Sequence, residues 1–494
     1  MGTRTARLLA TSALVLVAAC SDTAPTTPPA LDRFYYPTGL AIRHVDDAGV
    51  SKVCLGGAPG CHTQLFVASS NFDLRYDPAT GGTVMALDVD EALKTGLAPL
   101  QKPALLGVAR IGSFAGELAI LDKNTCSGYA QGDQVLVASR SQNRLYRLSV
   151  GPQGQLTCAG CSIPLVSTFG DPYGVTVACG TFGGVAQQLA FVTYLRTPSS
   201  EGLLSQIDLA TNESTVKDLG PSSPAPAHSS AFDPVSTRLY VTQVFGQNAF
   251  SPLRWFSLTT NEPTATIDLY SLIRGAEVRG IALSSDGDSS VGRPPSRAYL
   301  ALRIFDADTA AATGVRPTGD IAGALAVMDL TPGPTGQPSG RLLNVVPIDR
   351  GASVIRIVPR LDPVTNHQRT DSAGNPLRDL VAVTCTDDNT VVLYDDDTGS
   401  VAKVFDVCGG VPGETAPAPC DLGNPLTGKQ PSGLAVESLA TTGNARLYVG
   451  SFDRSWVNVI EINPIDAAAG PVPGPPGPGI TGQSGWVRIG PERQ

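Results

Sequence analysis

The chain has 494 residues, of which 16% are charged, and its formal net charge at pH 7 is −9. This balance excludes the basic surface by which proteins bind nucleic acid, so we expect no nucleic-acid partner. Glycine (53) and proline (40) are abundant, and short β-rich runs lie between turns of Gly, Pro, Asp and Asn. These features predict an all-β protein with a large core.

The N-terminus has the layout of a secretory signal. Arg4 and Arg7 precede an apolar stretch from Leu8 to Ala19, which is too short to span a membrane as a mature helix. Small residues then lead to Cys20, and this segment resembles a bacterial lipobox. The resemblance implies that residues 1–19 are removed and that Cys20 is acylated, for example with palmitate. Residues 20–34 then tether the protein to a membrane.

An ordinary cleaved signal, in which Cys20 has no special role, is the alternative. Ser21, in place of an aspartate after the lipidated cysteine, is similar to the pattern of Gram-negative lipoproteins sorted to the outer membrane. The expected location is therefore the bacterial cell envelope, most simply the outer membrane, on either its periplasmic or its surface side.

Ten cysteines indicate a compartment in which disulfides persist. Cys54 and Cys61 enclose one turn-rich loop, and Cys408 and Cys420 enclose another, so each pair is a disulfide candidate. Cys385 lies in an apolar run and is expected to be a buried free thiol. The remaining four leave their pairing open: Cys126, Cys158, Cys161 and Cys179. Since no second CxxC accompanies Cys158 and Cys161, a zinc site is disfavoured.

A pattern of short strands recurs along the chain. The first copy has Pro37–Ile42, Leu65–Ser69 and Thr83–Asp88, and the last has Pro431–Val436, Arg446–Gly450 and Val457–Ile462. Seven such units of four strands predict a single radial β-propeller over residues 35–490, with eight blades as the alternative. Residues 485–490 are expected to form the outermost strand of a terminal blade.

The segments PTGLAI…LFVASS…TVMALD, PYGVTVA…LAFVTY…IDLATN and PSGLAV…RLYVGS…VIEINP resemble the YVTN-type repeats of lactonase-like seven-bladed propellers. In that family, loops from the second to the third strand open on the same face as the connections between blades. This geometry places four long inserts on one face, which we call the loop-rich face: 71–82, 243–251, 303–324 and 408–420. The fold is implied more strongly than any function, because such rings host enzymes, electron-transfer proteins and binding platforms.

Three arginines follow second strands of the predicted blades, namely Arg140, Arg196 and Arg303. At equivalent strand ends, their guanidinium groups would surround the funnel and bind a carboxylate or phosphate bidentately. The alternative is that each arginine pairs with a neighbouring aspartate.

No catalytic residues emerge from the four histidines, since no Ser-His-Asp order or HExxH spacing surrounds them. No cofactor is expected. Calcium at the acidic runs 286–288, 387–388 and 395–397 is the one ion considered, although aspartates in turns usually cap their own backbone.

The leading hypothesis is therefore a non-enzymatic, lipid-anchored scaffold that binds an envelope protein or a glycan through its loop-rich face. A lactonase-like hydrolase of a small anionic sugar derivative is the alternative. A redox subunit that takes its cofactor from a partner is a third possibility.

Overall fold

The computed structural model describes residues 27–96, 98–123, 125–126, 132–166, 170–197, 202–219, 225–244, 251–260, 262–287, 291–313, 319–362, 368–370, 376–406, 430–466 and 486–490. The predicted signal, Cys20, Cys408 and Cys420 lie outside these residues. Within the described part of the chain, no helix has the length and apolar character needed to cross a bilayer.

The described strands form seven antiparallel sheets in chain order. Blade 1 contains β1 (Pro37–Val45), β2 (His62–Ser69), β3 (Gly82–Asp88) and β4 (Leu105–Ile111). Blade 2 contains β5 (Ala115–Leu121), β6 (Gln134–Ser139), β7 (Arg144–Val150), β8 (Leu156–Thr157) and β9 (Ser162–Pro164). Blade 3 contains β10 (Gly170–Phe182), β11 (Val185–Arg196), β12 (Leu203–Asp208) and β13 (Ser214–Asp218). Blade 4 contains β14 (Ala227–Asp233), β15 (Arg238–Gln243), β16 (Pro252–Ser257) and β17 (Glu262–Asp268).

The second half of the chain repeats this plan. Blade 5 contains β18 (Ala276–Leu283), β19 (Arg297–Ile304), β20 (Ala322–Asp329) and β21 (Arg341–Ile348). Blade 6 contains β22 (Ala352–Val358), β23 (Leu380–Cys385), β24 (Thr390–Asp395) and β25 (Ser400–Asp406). Blade 7 contains β26 (Pro431–Ser438), β27 (Ala445–Ser451), β28 (Trp456–Ile462) and β29 (Trp486–Ile489). Three short helices lie in connections: α1 (Val89–Thr95), α2 (Leu269–Leu272) and α3 (Ala307–Thr313).

The sheets are arranged in a ring. The first strand of each blade contacts the first strand of the next blade, and β26 returns to contact β1. The chain is a seven-bladed β-propeller. The all-β class and the seven blades are thereby confirmed, and the eight-bladed alternative is wrong.

The core lies between the blades. Seven clusters of buried apolar side chains fill the seven interfaces between neighbouring blades. Each sheet therefore buries its faces against its two neighbours, which is why a single blade is not stable alone. At the closing interface, Leu65 and Met85 of blade 1 pack with Tyr448 and Val457 of blade 7.

Both ends of the propeller meet at this closing interface. β29 pairs with β28 as the fourth strand of blade 7, in agreement with the prediction for residues 485–490. Phe34 and Ile489 are buried in the same cluster. The Gly490 N–H donates to the Gly96 carbonyl at 3.0 Å, just after α1. These contacts close the ring, although β1 and β29 belong to different sheets.

A β-bulge recurs at the start of every first strand. In each blade the ladder between the first and second strands slips at the same place, because the first strand carries one extra residue. Alignment of the seven ladders assigns these bulge residues: Thr38, Gly116, Tyr173, His228, Arg279, Ser353 and Ser432.

Glycine follows the bulge in four blades, as Gly39, Gly174, Gly280 and Gly433. A Cβ at Gly280 would lie 2.3 Å from the carbonyl oxygen of Ser353, the bulge residue of the next blade. At Gly280, the first strands of blades 5 and 6 approach so closely that only a residue without a side chain fits.

Three disulfides are present among the described residues, and Cys385 is free and buried in β23, as predicted. Cys126–Cys179 joins the β5–β6 loop to blade 3. Cys158–Cys161 lies where the fourth strand of blade 2 is interrupted between β8 and β9.

The Cys54–Cys61 disulfide closes the β1–β2 loop, at the end of the ring opposite the loop-rich face. This loop crosses to blade 7, where the Gly56 N–H donates to the Ser438 carbonyl at 2.8 Å and the Ala440 N–H donates to the Gly56 carbonyl at 2.9 Å. It therefore bridges the first and last blades.

Candidate functional site at the channel mouth

The ends of the second strands form a ring of equivalent positions around the axis. In each blade, the residue before the bulge pairs with a residue of the second strand. The residue that comes next in that second strand occupies the equivalent position. These seven residues are Ser70, Arg140, Leu195, Val244, Arg303, Thr386 and Phe452. Five of them, all except Leu195 and Val244, line the start of the central channel.

A cavity of about 350 Å³ occupies this place, and we call it the mouth pocket. Residues from six blades line it, which puts it on the axis of the ring. Its lining includes bulge residues and strand-end residues: Thr38, Tyr173, Ser353, Ser432, Ser70, Arg140, Arg303, Thr386 and Phe452. The β2–β3 insert adds Phe72, so the pocket opens on the loop-rich face.

The three predicted arginines are placed differently. Arg140 and Arg303 occupy equivalent positions and both line the mouth pocket. Arg196 lies one residue beyond the equivalent position, which in blade 3 is Leu195. Because side chains alternate along a strand, one residue reverses the direction of the side chain. The Arg196 side chain is 82% exposed and pairs with Asp171 at 3.4 Å.

Arg140 is the less constrained of the two guanidinium groups in the mouth pocket. Its guanidinium carbon lies 5.1 Å from the centroid of the Phe114 ring, a cation–π arrangement. Among the described residues, no carboxylate forms an ion pair with it. Stacking orients the planar group while leaving its N–H donors available.

Arg303 is held by its surroundings. One terminal nitrogen donates to the Thr386 hydroxyl at 2.8 Å and to the Gly351 carbonyl at 3.3 Å. The other terminal nitrogen lies 3.9 Å from the Asp387 carboxylate. Arg303 is therefore fixed beside an acidic group at the wall of the mouth pocket.

Asp387 also contacts a second carboxyl group, that of Asp320. Burial and the hydrogen bond with Asp387 raise the pKa of Asp320 to about 6, although the Gly351 N–H, which donates to it at 2.8 Å, acts in the opposite direction. Burial also disfavours the charged form of Asp387, but the hydrogen bond from Asp320 and the charge of Arg303 hold its pKa below the ordinary value. The two pKa shifts have opposite signs, so as the pH falls Asp320 takes up a proton before Asp387 does, and the two carboxyl groups then share it.

An aromatic cluster forms the opposite wall and rim. The ring of Phe72 lies 5.1 Å from that of Phe452, 5.5 Å from that of Phe114 and 6.1 Å from that of Tyr36, measured between centroids. Phe72 is nevertheless 48% exposed. A half-exposed phenylalanine at the centre of such a cluster is an apolar contact surface.

Tyr173, another residue of the mouth pocket, is half-buried, and the centroid of its ring lies 5.1 Å from that of the His228 ring. Burial raises the pKa of Tyr173 to about 12, and the charge of Glu117 adds to this effect. The charge of Arg279 opposes the shift, as do those of Arg140 and Arg303.

The described residues offer little for a metal ion. The one group of His, Cys, Asp and Glu side chains with suitable spacing contains His44 and the sulfurs of the Cys54–Cys61 disulfide. Because these sulfurs are bonded to each other, they lack the thiolate form that binds a metal.

Two of the three acidic runs considered for calcium pair with arginines, whereas in the third Asp286 accepts a hydrogen bond from the Ser296 N–H at 3.0 Å and Asp288 lies outside the described residues. Asp388 binds Arg350 at 2.8 Å, and Asp396 binds Arg297 at 2.5 Å. Both Asp395 and Asp397 bind Arg360.

Comparisons with known proteins give likenesses of fold. No family model matches the chain, and no curated protein matches it. Hydrazine synthase from Kuenenia stuttgartiensis is similar at 10% identity and TM-score 0.49, over 81% of this chain and 93% of that one. A proposed 6-phosphogluconolactonase from Bacteroides uniformis is similar at 13% identity and TM-score 0.39, over 75% and 95%. The Dos1 propeller is similar at 10% identity and TM-score 0.43, over 87% and 82%. No residue role is carried over from these proteins.

Sequence reasoning missed Ser70, Tyr173 and Thr386 in the mouth pocket and Asp320 beside it, and it considered Asp387 only as part of a calcium-binding run. The signal that marks Ser70, Thr386 and Phe452 is their shared register with Arg140, which follows from the bulge. Asp320 carries no such signal, since it reaches the site from the end of the β19–β20 insert.

Proposed function

We propose that this protein is a non-enzymatic, lipid-anchored scaffold of the bacterial envelope that binds a protein or glycan partner through its loop-rich face. The observation that carries the proposal is the half-exposed Phe72 beside the mouth pocket, within a cluster of four aromatic rings. Interfaces are enriched in aromatic residues and arginine, and both types converge here. Cys20 would supply the anchor, on the sequence resemblance alone.

Crosslinking in cells tests the binding role. Mild crosslinking, detergent extraction and mass spectrometry should recover a reproducible envelope partner. Its crosslinks should map to residues 71–82 or 303–324. Crosslinks confined to the β1–β2 loop, at the other end of the ring, would contradict the proposed face. Loss of radioactive palmitate incorporation in a Cys20→Ser variant tests the anchor separately.

A lactonase-like hydrolase is the second candidate, and the Asp320–Asp387 pair favours it. Two carboxyl groups that share a proton supply an acid and a base within one site, and Arg303 beside them would stabilise a developing negative charge. The test is hydrolysis of δ-gluconolactone and 6-phosphogluconolactone by the purified protein, compared with an Asp387→Asn variant. Turnover that this substitution removes would favour the enzyme over the scaffold.

A further inference from the structure

The mouth pocket is too small to accept a folded surface. At about 350 Å³ it lies in the size range of small-molecule sites. If the partner is a macromolecule, only a chain end or one projecting group of it can enter such a space. The walls of the pocket then determine which chemistry that group carries.

One wall offers an oriented cation. Arg140 is stacked on Phe114, lines the pocket and has no carboxylate partner among the described residues. A planar guanidinium in this state matches a planar carboxylate through two parallel hydrogen bonds. Arg303, by contrast, is already bonded to Thr386 and Gly351, so Arg140 is the group that an incoming anion meets.

The adjoining wall is apolar and aromatic. Phe72 and Phe452 meet at an interplanar angle of 72°, and Phe72 and Phe114 meet at 89°. An aromatic or bulky aliphatic side chain extends such an edge-to-face cluster in the geometry that its rings already adopt. The anion on Arg140 is thus expected to be next to an apolar side chain.

A second, independent feature is a buried hydroxyl group without a hydrogen-bond partner at the wall of the pocket. Ser70 lines the pocket and is 1% exposed, and within the described part of the chain its Oγ has no hydrogen-bond partner. Buried hydroxyl groups normally find a partner, so an unsatisfied one at a cavity wall marks a place where a ligand contributes a donor or acceptor. A peptide group has both.

We propose that the mouth pocket binds the C-terminal end of a partner protein, with its α-carboxylate on Arg140 and an apolar last side chain against Phe72 and Phe452. The proposal rests on the binding role proposed above and specifies the partner's chemistry. A terminal carboxylate, an adjoining apolar side chain and a peptide group match Arg140, the aromatic wall and the Ser70 hydroxyl, respectively. Capture of a C-terminal carboxylate is a known mode of peptide recognition.

Fluorescence anisotropy tests this with two labelled peptides that both end in Ala-Phe and differ only at the terminus, which is a free acid in one and an amide in the other. We expect the free acid to bind roughly 10- to 100-fold more tightly, because a hydrogen-bonded charge pair is lost in the amide. Arg140→Gln should weaken binding of the acid and leave the amide unchanged. A structural role of Arg140 would weaken both. Arg196→Gln is the matched control, since that arginine lies outside the pocket and is exposed.

Equal binding of the two peptides, or no binding of either, would overturn the proposal. Binding of glucuronate in preference to the acid peptide would also overturn it, in favour of an acidic glycan. These outcomes are distinguishable from failure of the scaffold role, because the crosslinking experiment reports a partner on the loop-rich face whatever enters the pocket.

Discussion

A close contact between blades 5 and 6 supplies a sharp test of the fold. Gly280 follows the bulge of blade 5, and a Cβ there would lie 2.3 Å from the Ser353 carbonyl oxygen. Real Cβ atoms essentially never approach closer than 3.0 Å, so Gly280→Ala forces two first strands apart at the axis. Overpacking of this kind costs about 1–3 kcal/mol.

The expected change in melting temperature follows from the size of the protein. With about 2.1 cal/mol/K of unfolding entropy per residue over 494 residues, this cost lowers the Tm by about 1–3 °C. Differential scanning calorimetry resolves such a shift. Gly319→Ala is the control, because a Cβ there meets no atom within 4 Å. That substitution restricts the unfolded chain and should stabilise by about 0.4–1 kcal/mol. The two variants should therefore shift in opposite directions, and a Gly280→Ala protein that melts at or above the wild-type temperature refutes the close-approach argument.

Three further results are expected. Cys54→Ser/Cys61→Ser should lose roughly 2–3 kcal/mol of stability, because the loop it opens is short, and calorimetry that shows wild-type melting would contradict this. Phe34→Ala should cost about 3–5 kcal/mol in urea unfolding, since this ring is fully buried at the closing interface; a smaller loss than that of an exposed Leu74→Ala control would count against a sealing role. The stabilisation that Asp320 contributes below its unfolded pKa is lost as the pH rises through about 6, because its folded pKa is raised. The urea midpoint of wild type relative to Asp320→Asn should thus fall as the pH rises from about 4 to about 6.5, and a constant difference would contradict the raised pKa of Asp320.

The repeat predicts the blades because it records a physical requirement. The sequence Pro-x-Gly at residues 37–39 and 431–433 marks a first strand whose bulge and glycine allow close approach at the axis. Blades 2, 4 and 6 depart from the glycine, with Glu117, Ser229 and Val354 at this position. The apolar strand cores were recognisable in all seven, since each must bury both faces.

The candidate site was predicted only in part because its geometry depends on register. Arg140, Arg196 and Arg303 look alike in sequence, as each arginine ends an apolar run. The ladder distinguishes them: β11 continues one residue further than the strand-end position, so Arg196 turns to solvent while Arg140 and Arg303 turn to the axis. A shift of one residue is invisible to a hydrophobic pattern of short strands, yet it reverses the side of the sheet.

The second part of the site could not be predicted, because a long insert carries it. Asp320 lies more than a dozen residues after the end of β19, in a segment without periodicity. It reaches Asp387 because β20 begins shortly after it. The Gly351 N–H of blade 6 donates a hydrogen bond to the Asp320 carboxyl group, and the charge of Arg303 of blade 5 acts on it. The axis of a propeller brings together residues that are distant in sequence, and the bulge residues and strand ends decide which of them meet there. A search of related sequences for ligand determinants should therefore compare the register-equivalent positions of Ser70, Arg140 and Phe452, because these positions, and not the loops alone, set the chemistry of the mouth pocket.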